Sequence, residues 1–219
     1  MQLVLVGAGG HARVVLEAAR AQGLNVVAAI DERSELHGTA IDGIPIVGGE
    51  AALDGLRDRG IVGAILGVGS VDVSDQRQVL FKRLVDRGFE LPAVRHPTSV
   101  ISPTATVGEA SVVFAGAIIS AHARLGLNVI VNTSAIIEHD CAIGDHVHIS
   151  PGALLAGGVQ VGHGSHIGIG AILLQGVHIG AGVMVGAGSV VLHDVGDAER
   201  VAGVPARSLR SHGSGSGPG

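Results

Sequence analysis

The stretch that decides the fold is VNTSAIIEHDCAIGDHVHIS, residues 131–150, in which aliphatic residues return every six positions while histidines and aspartates fall between them. Extended in both directions, the beat runs through Ile101, Val107, Val113, Ile119, Leu125, Val131, Ile137, Ile143, Ile149, Leu155, Val161, Ile167, Leu173, Ile179, Val185 and Val191, sixteen aliphatics in sixteen positions. A second column, four residues after each of these, holds only small or β-branched residues, from Ala105 and Ser111 through Ala135, Cys141 and Val147 to Ser189. A period of six is too long for a strand or a helical turn. It marks a chain that turns a corner every six residues, a hexapeptide β-helix. Three such sides closing one coil predict five coils of eighteen residues over 101–190, stacked at about 4.8 Å.

Composition agrees with a core built from repeated small side chains. Among 219 residues there are 36 Gly, 3 Phe and no Trp or Tyr. A net charge of -5 offers no basic face to a nucleic-acid backbone, so nucleic acid is not an expected partner. The single Cys141 cannot close an internal disulfide, and MQLVLVGAGG lacks the basic start of a signal peptide, so the expected location is cytoplasmic. Residues 146–193 carry no Asp, Glu, Lys or Arg, a run far longer than the ~20 apolar residues that cross a bilayer. Gly, His, Ser and Gln interrupt it at short intervals, which suits a solvated repeat, and no membrane partner is expected.

Residues 1–95 follow a different rhythm. QLVLVGAGG reads as a buried strand and a glycine turn, HARVVLEAARAQG as an amphipathic helix closed by Gly23, and NVVAAID as a second strand ending in Asp31. The alternation continues through GAILGVGS and SDQRQVLFKRLVDRG, predicting a small parallel α/β unit of Rossmann-like form. The prolines of LPAVRHPTSV mark a junction, giving three segments: α/β at 1–95, β-helix at 96–210 and a flexible tail, SHGSGSGPG, at 211–219.

Two constellations carry chemistry. GAGGHA, Gly7 to Ala12, with Asp31 closing the next strand, satisfies the glycine fingerprint in which the backbone approaches phosphates, a helix N-terminus stabilises their charge and an acid meets a ribose. The unit is short for a whole dinucleotide domain, so a nucleotide phosphate site is expected rather than a full NAD site; a plain connecting turn is the alternative. His139 and Asp140 occupy hexapeptide positions outside both inward columns, at a corner, where a carboxylate beside an imidazole makes a candidate general base. A solvated surface histidine is the alternative there. His148 and His166 stand eighteen residues apart and should stack, yet no set matches the zinc spacing of γ-class carbonic anhydrases, and no metal is expected. Cys141 lies in the small inward column and reads as core, and His146 as a solvent-facing turn residue.

The glycine loop, HPTSVISPTATVG, NTSAIIEHDCAIGDHVHISPGALLAGGVQVG and the terminal GVPAR together resemble the sialic acid O-acetyltransferase and nucleotide-sugar N-acetyltransferase family of left-handed β-helix enzymes. The resemblance covers residues 1–210 and implies an acetyl-CoA-dependent transfer in a homotrimer, with active sites between subunits. It makes His139 the base, Asp140 its orienting partner and Gly157 an oxyanion donor. Asn132 and His148 become substrate contacts, together with Gly9, Gly10, His11, Asp31 and Gly69 on the nucleotide side. Ile169 and Ala187 would lie along the pantetheine groove, and Arg207 near the CoA phosphates. The function implied is N-acetylation of a nucleotide-linked 4-amino-4,6-dideoxy sugar. O-acetylation of a sugar hydroxyl and a non-catalytic trimeric nucleotide-binding scaffold are the competing readings.

Overall fold

The computed structural model describes residues 1–69 and 76–209, so the expected flexible tail at 211–219 lies outside the described residues. The N-terminal unit runs β1 (Gln2–Val6), α1 (Gly10–Ala21), β2 (Asn25–Ile30), a small hairpin of β3 (Ala40–Ile41) and β4 (Ile44–Pro45), α2 (Leu53–Asp58), β5 (Gly63–Leu66) and α3 (Gln76–Asp86). Its three long strands form a parallel sheet in the order β2-β1-β5. One face of that sheet packs on α1 through Leu3, Leu5, Val15 and Leu16, and the other on α2 and α3 through Val4, Val6, Leu56 and Leu84.

From Val94 onward the chain is a solenoid of two-residue strands paired eighteen residues apart, as Ile118 with Ile136 or His148 with His166. The strands assemble three flat faces. The histidine face has eight strands, the aliphatic face six and the mixed face five. The solenoid is longer than the five predicted coils. Val94–Arg95, inside the proline-flanked junction, pairs with Val112–Val113, and at the far end Arg200–Gly203 pairs with Met184–Val185 before folding back on Ala206–Ser208. Those added strands lack the six-residue beat on one side, which is why the pattern missed them.

Both predicted columns point inward. Val131, Ile137, Ile149 and Leu155 from the first, and Ala117, Ala135, Ala153 and Val159 from the second, are completely buried, as is Cys141. A third column explains how tightly the coils stack. Gly108, Gly126, Gly144, Gly162 and Gly180 each follow a mixed-face strand, and a Cβ on Gly162 would stand 2.5 Å from the backbone of Gly180 and Ala181 in the next coil. Only hydrogen fits there.

The two units share a core. Val94, Val112, Phe114 and Ile130, all on or beside the histidine face, belong to the same buried cluster as α1 and the sheet residues Leu3 and Leu5. The N-terminal unit is therefore seated on the lower part of the histidine face. No helix among the described residues is long and apolar enough to cross a membrane.

Candidate active site

His139 and Asp140 lie in the turn between Ile136–Ile137 and Ala142–Ile143, the corner where the aliphatic face meets the mixed face. The coil below holds this corner through Asp140 N donating to Ala121 O at 3.0 Å, and the coil above through Gly158 N donating to His139 O at 2.8 Å. Asp140 takes a left-handed conformation, φ 60°, which Asp tolerates better than most side chains. That turn lets its carboxylate Oδ2 lie 2.8 Å from His139 Nδ1, with both side chains more than half exposed. The hydrogen bond to His139 holds the Asp140 carboxyl below the usual carboxylate range, aided by the nearby His122 and Arg124. With Nδ1–H donating to Asp140, the lone pair of the ring falls on Nε2, the tautomer a base requires.

Gly157 sits one coil above, against the same ring. A Cβ there would come within 2.6 Å of His139 Cε1 and Nε2, so only glycine leaves room for the imidazole. Among the described residues no hydrogen bond engages the Gly157 N–H, which leaves it available to an oxygen near Nε2.

The other predicted site residues gather elsewhere. Asn132 and His148 belong to the histidine face and its edge with the aliphatic face, where Asn132 Nδ2 donates to His148 Nε2 at 3.2 Å. His148 stacks edge-on with His166 at 4.7 Å between ring centroids. The two histidines stack as their spacing predicts, but with both rings buried, and Ser150 Oγ stands 3.0 Å from His166 Nε2. Ile169 and Ala187 are exposed on that same edge, stacked through Gly188 N donating to Ile169 O. Arg207, also exposed, lies on the terminal hairpin with Nη1 donating to Ala206 O. His146 is not a free turn residue. It packs edge-on against Phe81 of α3 and meets Asn128 Nδ2 at 2.9 Å through Nδ1.

The glycine loop joins β1 to α1 beside β5. Gly9 and Gly10 open onto empty space, while a Cβ on Gly7 would meet Val68 Cγ2 at 2.8 Å and one on Gly69 would press on the His11 ring at 3.1 Å. Asp31 Oδ2 accepts from Ala8 N at 2.7 Å, and both its oxygens also meet the Arg33 guanidinium, so the carboxylate stabilises the loop and is already saturated. The Arg33 hydrogen bonds hold its pKa far below the ordinary range. Sequence reasoning missed this pairing, although an Arg two residues after the strand-ending acid was visible. His11 is turned inward, its ring edge-on to Phe114 at 5.5 Å, and its buried Nε2 has no partner among the described residues. Burial, then the charge of Arg77, lowers its pKa to about 4. A cleft of about 700 Å³ opens beside the loop, lined by Gly7, Asp31, Glu32, Arg33, Glu50, Val68 and Arg83 among others. Among the described residues no three His, Cys, Asp or Glu side chains converge as metal ligands would.

A His–Asp pair at a β-helix corner, a glycine against its ring and a glycine loop on a second α/β unit accompany the fold of the left-handed β-helix acyltransferases, and the chain belongs to the nucleotide-sugar N-acetyltransferases of the hexapeptide-repeat family. The PglD N-terminal domain family matches residues 2–84. PerB from Caulobacter crescentus, solved in complex with CoA and GDP-perosamine, is 40% identical over 96% of this chain and 98% of its own, with a TM-score of 0.90. The acetyltransferase domain of PglB from Neisseria gonorrhoeae is 39% identical over 95% of this chain and 99% of its own, TM-score 0.86, and has also been solved with acetyl coenzyme A. WeeI from Acinetobacter baumannii is 27% identical over 95% of this chain and 100% of its own, TM-score 0.84. No curated protein matches the sequence.

Proposed function

We propose that the protein transfers the acetyl group of acetyl-CoA to the amine of a nucleotide-linked 4-amino-4,6-dideoxy sugar, with His139 as general base. The observation that carries this reading is the His139–Asp140 pair at 2.8 Å with Gly157 closed against the ring. As the sugar amine attacks the thioester carbon, His139 Nε2 takes the proton it loses. The Gly157 N–H donates to the oxygen that gains charge, and the carbon–sulfur bond then breaks as the imidazolium returns its proton to the departing sulfur. Asp140 keeps the tautomer and stabilises the imidazolium. No covalent link to the enzyme is needed.

The active unit in this reading is a homotrimer. His139 and Gly157 lie at one edge of the aliphatic face, whereas Asn132, Ile169, Ala187 and the N-terminal unit lie at the other edge or on the histidine face beyond it. The face between them carries an outward ladder of Val100, Ile118, Ile136, Leu154, Ile172 and Val190, with Val100 62% and Ile172 44% exposed. Three copies turning this ladder toward a common axis bury it and bring the His139 edge of one copy to the opposite edge of the next. In the same reading, residues 1–95 hold the nucleotide and residues 96–210 the acetyl donor, with Arg207 reaching its phosphates. In the same reading the enzyme acts in the cytoplasm.

The test is steady-state turnover of His139→Ala with acetyl-CoA and a nucleotide 4-amino sugar. A loss of about 10²–10⁴ in kcat is expected, and near-normal turnover removes His139 as base. The product should be an amide that survives mild alkali. An alkali-labile ester would assign the O-acetyl reaction instead.

A further inference from the structure

Arg77, in the first turn of α3, is only 4% exposed. Its Nη1 donates to Leu66 O at 3.1 Å and Val68 O at 2.5 Å, and its Nη2 to Ala110 O at 3.3 Å, while the buried Nε has no partner among the described residues. Among the described residues no carboxylate pairs with it. A guanidinium buried among neutral carbonyls is costly to keep, and a structure that only needed the space would fill it with an apolar side chain. Burial lowers its pKa to about 9, which leaves it charged at neutral pH.

Its position gives that charge a use. Leu66 ends β5, and the order β2-β1-β5 sets the carboxyl ends of β1 and β5 side by side, the crevice where open α/β sheets bind ligands. Val68 touches the Gly7 turn, and Gly69 backs onto His11. The charge already reaches the loop, since Arg77 helps to keep His11 neutral. It therefore stands one layer behind Gly7–Gly10, shielded from water, where a field is screened far less than at the surface.

We propose that Arg77 is a positioning residue for the diphosphate of the nucleotide sugar: its buried charge attracts the anion to the glycine loop, and its carbonyl bonds fix the Leu66–Val68 segment that forms the loop's back wall. This rests on the nucleotide-sugar reading. Of the acids lining the cleft, Asp31 is paired with Arg33 and Glu50 with Arg83 and Arg87, which leaves Glu32 as the one without an ion pair among the described residues.

Calorimetry on the full chain, with GDP, UDP and dTDP as probes and the tightest of them paired with its own nucleoside, separates the possibilities. Arg77→Met should lose about tenfold or more in affinity for the diphosphate while the uncharged nucleoside changes little, and Arg77→Lys should recover most of the loss. Equal losses for diphosphate and nucleoside, or none, overturn the proposal. Should Arg77→Met fail to fold, Arg77→Lys decides alone. A buried lysine sheds its proton at lower pH than a buried arginine, so as pH rises from about 7 the diphosphate affinity of the variant should fall earlier than that of the wild type, whose Arg77 loses its charge only toward about pH 9. A variant whose affinity falls at the same pH as that of the wild type overturns the proposal. Wild-type protein that binds none of the three diphosphates sinks the nucleotide-sugar reading itself, a result distinct from any effect of Arg77.

Discussion

Glycine 157 shows how much a single hydrogen atom can decide. A methyl group there would stand 2.6 Å from Nε2 of His139, the nitrogen proposed to accept a proton, so Gly157→Ala should displace His139 without disturbing the core. The expected outcome is a fall in kcat of about 10²-fold or more, the scale of a lost oxyanion donor, with thermal unfolding close to wild type. His11 supplies a second prediction at this scale. Its folded pKa of about 4 lies below the ordinary histidine value of 6.5, so the unfolded chain binds a proton that the folded one refuses. That stability is complete above about pH 6.5 and is lost as pH falls toward 4, by up to about 3 kcal/mol. Denaturant melts at several pH values should show that slope in the wild type and a shallower one in His11→Gln. At this scale the sequence exposed His139 and Asp140 because a strict pattern accounts for the fold without them. It did not expose the saturation of Asp31 or the burial of His11, since both depend on neighbours from distant segments.

The coil is the natural element of this fold, and its stability follows from what each position of the coil must contact. Ile137 is completely buried between coils, so Ile137→Ala should cost about 2–5 kcal/mol in chemical denaturation. The glycines divide into two kinds. Gly170 adopts φ +63° with open space where a side chain would lie, and Gly170→Ala should cost only about 1 kcal/mol for the left-handed backbone. A Cβ on Gly162 would stand 2.5 Å from the backbone of the next coil, and Gly162→Ala should cost about 3 kcal/mol or disrupt stacking outright. The six-residue beat makes these elements legible from the spacing of residues alone. The terminal strands escape it: Val94–Arg95 and Arg200–Gly203 complete the histidine face without repeating the beat beyond it.

For the whole molecule, the separation of the two half-sites on one chain is the consequence that matters most. If neighbouring copies complete each other, Leu154→Asp on the aliphatic ladder should yield monomers in light scattering and abolish turnover while the β-sheet signal persists. Complementation gives a sharper check. His139→Ala and Gly9→Asp are each expected to be inactive, yet trimers refolded from an equal mixture should regain roughly a quarter of wild-type activity, the share of interfaces that join two intact halves. A mixture that stays inactive would place both halves of the site within one copy. The ladder residues are spaced in the sequence one position before every third member of the first inward column. Their meaning as a surface emerges only once the coils stack, because outward positions on the other two faces mix apolar residues such as Ile130 with polar ones such as His148.

Sequence alone determined the solenoid, its inward columns, the corner position of His139 and Asp140, and the glycine loop of an α/β unit, because each is written in local spacing that any stretch of the chain repeats or violates. Tertiary structure decided that the α/β unit sits on the histidine face through Phe114 and Ile130, that Arg77 is buried behind the loop, and that His139 lies at the edge of the prism away from that unit. Those facts depend on contacts between residues far apart in sequence, such as Arg77 with Ala110, and no period records which distant surfaces will meet.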